Sequence, residues 1–189
     1  MTDVANDGWI DTRIVERIPE AEDIIRLVLQ AVGPTALPAF QAGAHVEVAL
    51  DGGLIRHYSL CNAPEAADRY EIAILLEREG RGGSRRVHES LHAGGRLAIR
   101  GPRNHFPLAA NGHSLLFAGG IGITPLLAMA ESLRAARRSF EFHVCARHPR
   151  RAAFRQRLAR APWAAYLPIL GATISTAMRS MPTRWWSRA

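Results

Sequence analysis

The chain has no lysine, so all 24 of its basic residues are arginine. It has only two cysteines, Cys61 and Cys145, with no CxxC pair and no spacing that would build a disulfide framework. A reducing, cytoplasmic setting fits that usage. No apolar run reaches the roughly eighteen residues a membrane-spanning helix needs. The first residues, Met1–Asp7, are polar and acidic, the opposite of a secretory leader. The eight histidines are scattered without ligand spacing, so no metal site is expected. Acid is scarce late in the chain. Residues 1–130 carry 12 arginines against 15 acids, a balance of −3, whereas residues 131–189 carry 12 arginines against Glu131 and Glu141 alone, a balance of +10. A coding bias toward arginine explains this, and so does anion binding by the C-terminal part.

What remains is ample for a folded core: 48% of the residues are apolar. Up to about residue 108 the pattern is of short strands at the spacing of an antiparallel barrel. Two β-like runs, Trp9–Ile18 and Ile24–Leu29, flank a turn at residues 19–23. His45–Leu50 alternates with period two, Asp51-Gly52-Gly53 is a hairpin turn, and Leu54–Leu60 is the return strand. Tyr70–Glu77 and Arg96–Arg100 are further strands, the latter ended by Gly101-Pro102, with a helix over Ser84–His92 between them. Beyond Ala109-Ala110-Asn111-Gly112 the period changes. Ser114–Ala118 reads as a strand buried on both faces, Gly119–Thr124 as a loop, and Leu126–Arg137 as a helix with Pro125 at its first position. Phe140–Ala146 is a second strand and Arg150–Arg160 a second helix. Tyr166–Leu170 is the candidate third strand. The fold class expected is therefore an antiparallel β-barrel over 1–110, then an incomplete parallel α/β layer over 111–166. Residues 167–189, with no acid and no period, form an aberrant tail.

Three motifs carry chemistry. On a strand, Arg56 and Tyr58 project to one side and His57 and Ser59 to the other. A guanidinium grips phosphate by two parallel hydrogen bonds, the Tyr58 ring can lie along a flavin, and Ser59 can hydrogen-bond its reactive edge. An ordinary strand of mixed side chains remains the alternative. Gly80-Arg81-Gly82-Gly83-Ser84 leads into a helix. Glycines there let backbone N–H groups approach an anion, and Ser84 is a candidate N-cap. The bland alternative is a capped surface turn. Gly119-Gly120-Ile121-Gly122-Ile123-Thr124-Pro125 departs from G-x-G-x-x-G, because Pro125 stands where the third glycine would be. It still joins a strand to a helix N-terminus, a seat for pyrophosphate.

Together with Gly101-Pro102-Arg103-Asn104-His105-Phe106, these motifs resemble the phthalate dioxygenase reductase family, which includes vanillate demethylase reductase components, within the ferredoxin-NADP reductase superfamily. The resemblance covers about residues 8–160. It implies a flavin barrel followed by a pyridine-nucleotide domain, with FMN rather than FAD as the flavin, NAD(P)H as reductant and an oxygenase component as partner. It assigns Arg56, Gly82, Gly83 and Ser84 to the FMN phosphate, Tyr58 to packing on the flavin and Ser59 to its N5 edge. His57, Ala73 and Ile74 join the flavin-binding set. Gly120, Gly122 and Thr124 are assigned to cofactor binding on the nucleotide side, with Thr124 where flavin and nicotinamide meet. Ser59, Thr124 and Cys145 are the implied catalytic residues; Cys145 reads equally as a small buried apolar residue. The family continues into a two-iron ferredoxin domain. Its cysteine pattern and the late Cys-Gly-Pro motif are absent from this sequence, so the chain is expected to be a truncated NAD(P)H-dependent flavin oxidoreductase. The alternatives are a flavin-binding module without turnover and an arginine-rich nucleic-acid binder, the last without any supporting motif. Neither nucleic acid nor membrane is expected as a partner.

Overall fold

The computed structural model describes residues 8–34, 36–66, 68–161 and 168–170. Most of residues 167–189, expected to be an aberrant tail, lie outside the described residues.

Six antiparallel strands form the first sheet: β1 (Trp9–Ala21), β2 (Ile24–Ala31), β3 (His45–Leu50), β4 (Leu54–Ser59), β5 (Tyr70–Leu75) and β6 (Arg96–Arg103), in the order β4-β3-β6-β1-β2-β5. The two ends of this sheet approach each other. Leu60, just past β4, bridges to Ile72 of β5, and the Cys61 N–H donates to the Glu71 carbonyl at 2.9 Å. The sheet thus curls into a barrel, which protects its edges. Alternate residues Ile14, Leu27, Leu29, Val46, Val48, Ile72, Ile74, Leu97 and Ile99 are buried in its core.

Local chemistry sets the turns. The β3–β4 hairpin turns on Gly52 and Gly53, at φ 75° and 72°, the pair of positive values a tight hairpin demands. The β1–β2 turn is shorter than the sequence implies. Pro19, Glu20 and Ala21 remain in β1 and only Glu22-Asp23 turns, with Asp23 at φ 61°. Asp tolerates that left-handed region better than most residues. Strand β6 likewise does not stop at Gly101-Pro102 but continues to Arg103, because His45 of β3 pairs with Arg103 beyond a register shift. Between β5 and β6 the helix α1 (Gly83–Ser90) lays Val87 against the core.

The second sheet is parallel, with β7 (Ser114–Gly119), β8 (Phe140–Ala146) and β9 (Pro168–Leu170) in that order. The β9 strand falls within the stretch Tyr166–Leu170 picked out as the third strand. Helix α2 (Ile123–Ala135) covers one face with Leu126, Leu127, Ala130 and Leu133 buried. The expectation that β7 is buried on both faces fails. Leu116 and Ala118 are buried, but Leu115 is 36% exposed and Phe117 is half-buried. The expected helix over Arg150–Arg160 is also shorter. Arg150 and Arg151 sit in a 3-10 turn, and α3 spans only Arg155–Arg160. Phe154 interrupts at φ 60° with its side chain wholly buried; burial of a large ring offsets the cost of that backbone.

The two sheets are joined by ionic contacts as well as by chain. Arg26 of β2 pairs with Glu20 at 2.6 Å and with Glu71 at 2.9 Å, and Glu71 also accepts from Arg157 of α3 at 3.3 Å.

Candidate functional site

Strand β4 ends the order of the barrel sheet, paired along its length with β3, and its residues Arg56 to Ser59 line a cavity shared with the starts of α1 and α2. The β3–β4 register places Val46 across from Tyr58 and Val48 across from Arg56. Arg56 and Tyr58 therefore share the barrel's inner face with two buried valines, as period two requires. The cavity beside them measures about 480 Å³, within the range of small-molecule sites. Its walls come from both parts of the molecule. β4 gives Arg56 to Ser59, β5 gives Ala73, Ile74 and Leu75, and Gly83 and Ser84 open α1. Ile121, Gly122, Thr124 and Pro125, from the turn and first residues of α2, close the far side.

The glycine pair at α1 has two different causes. Gly82 caps the helix at φ 81°, a conformation side chains resist. Gly83 is needed for space, because a Cβ there would lie 2.3 Å from Arg56 Nε. The guanidinium thus rests directly on the first residue of the helix, where N–H groups lack intrahelical acceptors. Among the described residues Arg56 pairs with no carboxylate; its Nη1 donates to the Ile55 carbonyl at 2.8 Å. A cation and the amides of a helix start, in the wall of one cavity, form a donor set suited to a phosphate. The phosphate group of a mononucleotide fits these residues.

Ser84 is not the N-cap. Gly82 holds that position, and Ser84 Oγ instead accepts from the Glu77 N–H at 2.9 Å. Its hydroxyl hydrogen remains available to an anion. The same bond folds Glu77 into the cavity wall, where it joins Arg81 and Leu75. Glu77 carried no sequence signal of function, because the turn from 77 to 84 brings it in, whereas Leu75 enters as the end of β5. Burial pushes the Tyr58 phenol up to about 12, opposed by Arg56 and aided by Glu77. The group is therefore neutral at any physiological pH and offers a ring face and one O–H.

Helix α2 begins at Ile123, which makes Pro125 its third residue rather than its first. A 3-10 turn, Gly120–Gly122, precedes it. Pro125 is tolerated there because the first N–H groups of a helix have no partner to lose. Thr124 is buried and its Oγ1 donates to the Ile121 carbonyl at 3.0 Å. The hydroxyl is spent as a donor and faces a ligand only as an acceptor.

Four of the residues singled out by sequence stand apart from the cavity or only at its rim. His57 lines it, but its ring lies beside Glu47, with Nε2 3.9 Å from Oε1, and 5.3 Å from the His45 ring. Gly82, the N-cap of α1, and Gly120 are outside the lining. Cys145 is also outside, buried near the end of β8 across from Gly119, and burial pushes its thiol up.

No model of a protein family matches the chain. Curated relatives do. The chain is 53% identical over 156 residues to a vanillate O-demethylase oxidoreductase of Pseudomonas putida, covering 82% of this chain and 49% of that one. It is 39% identical over 165 residues to the phthalate dioxygenase reductase of Burkholderia cepacia, covering 86% of this chain and 51% of that one. The solved structure of a phthalate dioxygenase reductase, described as modular for electron transfer from pyridine nucleotides to [2Fe-2S], superposes with TM-score 0.84 at 35% identity. That match covers 93% of this chain and 58% of that one. The chain spans about half the length of the curated relatives it matches.

Proposed function

We propose that this chain, a homologue of the N-terminal part of the phthalate dioxygenase and vanillate O-demethylase reductases, binds FMN in the cavity beside β4 and takes reducing equivalents from NAD(P)H. Its role is then the entry step of an oxygenase reductase component. The observation that carries this reading is the Arg56 guanidinium seated against Gly83 at the start of α1, with Tyr58 two residues along the same strand face.

Arg56, the amides at Gly83 and Ser84, and the Ser84 hydroxyl hold the phosphate. Two strand residues span about 7 Å, so Tyr58 lies one short linker away and packs its neutral ring along the flavin. Ala73 and Ile74 supply the apolar wall from β5. Ser59, whose hydroxyl no side chain among the described residues engages, donates to the reactive edge. Ile121 and Pro125 exclude water from the side where α2 begins. Thr124, its own proton given to Ile121, accepts from the nicotinamide amide. Bound flavin supplies the capacity to accept a hydride and to release electrons singly.

The test is a visible spectrum of the purified chain, then anaerobic titration with NADH and NADPH. A flavin band that bleaches supports the proposal. A band that persists reduces the chain to a flavin-binding module. Colourless protein that stays so after incubation with FMN and FAD refutes the site.

A further inference from the structure

We infer that the open edge of β7 pairs with β7 of a second copy of this chain, joining two parallel sheets into one across a two-fold axis. The strand has the composition of an interior one, yet among the described residues it ends the order β7-β8-β9. Its ladder with β8 runs unbroken from Ser114 to Gly119. Along that length it carries no charge, no proline and no bulge, the devices that usually blunt an edge. A groove of about 520 Å³ lies beside it, with Phe106, Leu108, Leu115 and Phe117 in its lining. Leu115 is 36% exposed and Phe106 55% exposed.

The strand's own pattern identifies the occupant. Leu116 and Ala118 are buried in the same core as Leu126 and Leu127 of α2, so Leu115 and Phe117 share the opposite face. The Phe117 ring is held there, stacked on His143 at 4.8 Å. A two-fold axis perpendicular to the sheet pairs the strands antiparallel and keeps α2 on the same face in both copies. Centred on Leu116, that pairing sets Leu115 of each copy directly opposite Phe117 of the other. The same aliphatic–aromatic contact thus forms twice, the kind of cross-strand pair that stabilises a sheet. A slip of one residue would turn the buried face outward. Charge permits the approach as well. The net charge of +7 sets two copies against each other, but none of it lies in the seam, where His113 falls opposite Gly119. Glu141, beside Leu115 in the β7–β8 register, is engaged by His113 and His143 at 3.5 and 3.0 Å. A seam of one strand pair is small, so the association is weak, with dissociation at roughly tens of micromolar.

The experiment is sedimentation velocity of the full chain at about 2 and about 200 µM, with backbone amide exchange measured on the same samples. The expected result is monomer at the lower concentration and dimer at the higher, with exchange of the β7 amides that point away from β8 slowed about fivefold in the dimer. Leu115→Lys puts a cation opposite each Phe117. It should stay monomeric at both concentrations with an unchanged circular dichroism spectrum. A parent chain that remains monomeric at the higher concentration overturns the inference. So does a dimer that Leu115→Lys leaves intact, because the copies then meet on another face. Exchange in β7 that is equally slow at both concentrations overturns it too, since the edge is then covered within one copy. Should Leu115→Lys misfold, the concentration dependence of exchange in the parent decides alone. Flavin binding is read from the separate spectral test, and none of these outcomes alters it.

Discussion

The six-stranded and three-stranded sheets solve the problem of burial differently. The first curls until Leu60 meets Ile72, so its ends are joined and its buried core residues come from every strand but β4. The second is covered by α2 on one face, while Leu115 of β7 stays 36% exposed and, among the described residues, β7 has β8 as its sole neighbour. A closed sheet is complete in itself; a small parallel sheet depends on what is laid against it. The cavity sits where the two meet, with the anion seat on the closed side. Flavin binding should therefore survive damage to the second sheet that abolishes nucleotide binding.

The largest effect tests the self-sufficiency of the barrel. Leu27 is wholly buried at its centre, and Leu27→Ala should cost about 2–5 kcal/mol in urea unfolding. Leu115→Thr, on the exposed face of β7, should change stability by no more than about 0.5 kcal/mol. A similar cost for both would erase the distinction between the two sheets.

Next in size is the anion seat. Arg56→Ala should weaken FMN binding by about 1.5–3 kcal/mol, the worth of hydrogen bonds to a charged group. Gly83→Ala should act in the same direction without removing any charge, because its Cβ would displace the guanidinium. Fluorescence quenching of FMN measures both. Normal affinity in Gly83→Ala would show that the contact between arginine and helix is incidental.

A smaller effect probes the joint between the sheets. A double-mutant cycle over Glu71→Gln and Arg157→Ala should give a coupling of about 0.2–1 kcal/mol, since Arg157 is partly exposed and its partner is shared with Arg26. Zero coupling would mean that packing alone holds α3 to the barrel.

The parts of this molecule that could be read from sequence are those with a strict period or a strained turn. Alternation in His45–Leu50 and the two glycines after it fixed the hairpin, and that hairpin orients Arg56 and Tyr58. The glycine motif after β5 was legible because Gly82 and Gly83 answer to backbone angle and to space. What was not legible depended on tertiary contact. Glu77 enters the cavity through a bond to Ser84. Phe154 breaks a helical pattern because the core takes its ring. His57 reaches only the rim of the site, its ring lying beside Glu47 across the strand pair. Cys145 reads equally as redox group or filler in sequence, and its burial across from Gly119 is visible only in the fold.

The smallest predicted effect concerns the outer face of the barrel, where His45 lies between the rings of His57 and His105, at 5.3 and 5.2 Å. Burial, then the charges of His57 and His105, and then Arg103 hold the His45 pKa below its usual 6.5, with Glu47 opposing. The unfolded chain therefore takes up the proton first as pH falls, and protonation favours unfolding. Stability from this group is complete above about pH 6.5 and declines below it, down to the lowered folded-state value. His45→Asn should flatten the dependence of the urea midpoint on pH just below 6.5; equal slopes in variant and parent would remove His45 from the account. Glu47 acts in a separate window. Its hydrogen bond to Arg100 holds its carboxyl below the usual 4.5, with burial opposing and the charges of Arg100 and Arg103 adding to the depression. Its contribution is present above that ordinary value and is lost only as pH falls through the lowered one. A loss of stability already visible near pH 6 therefore belongs to the imidazole and not to the carboxylate at its side.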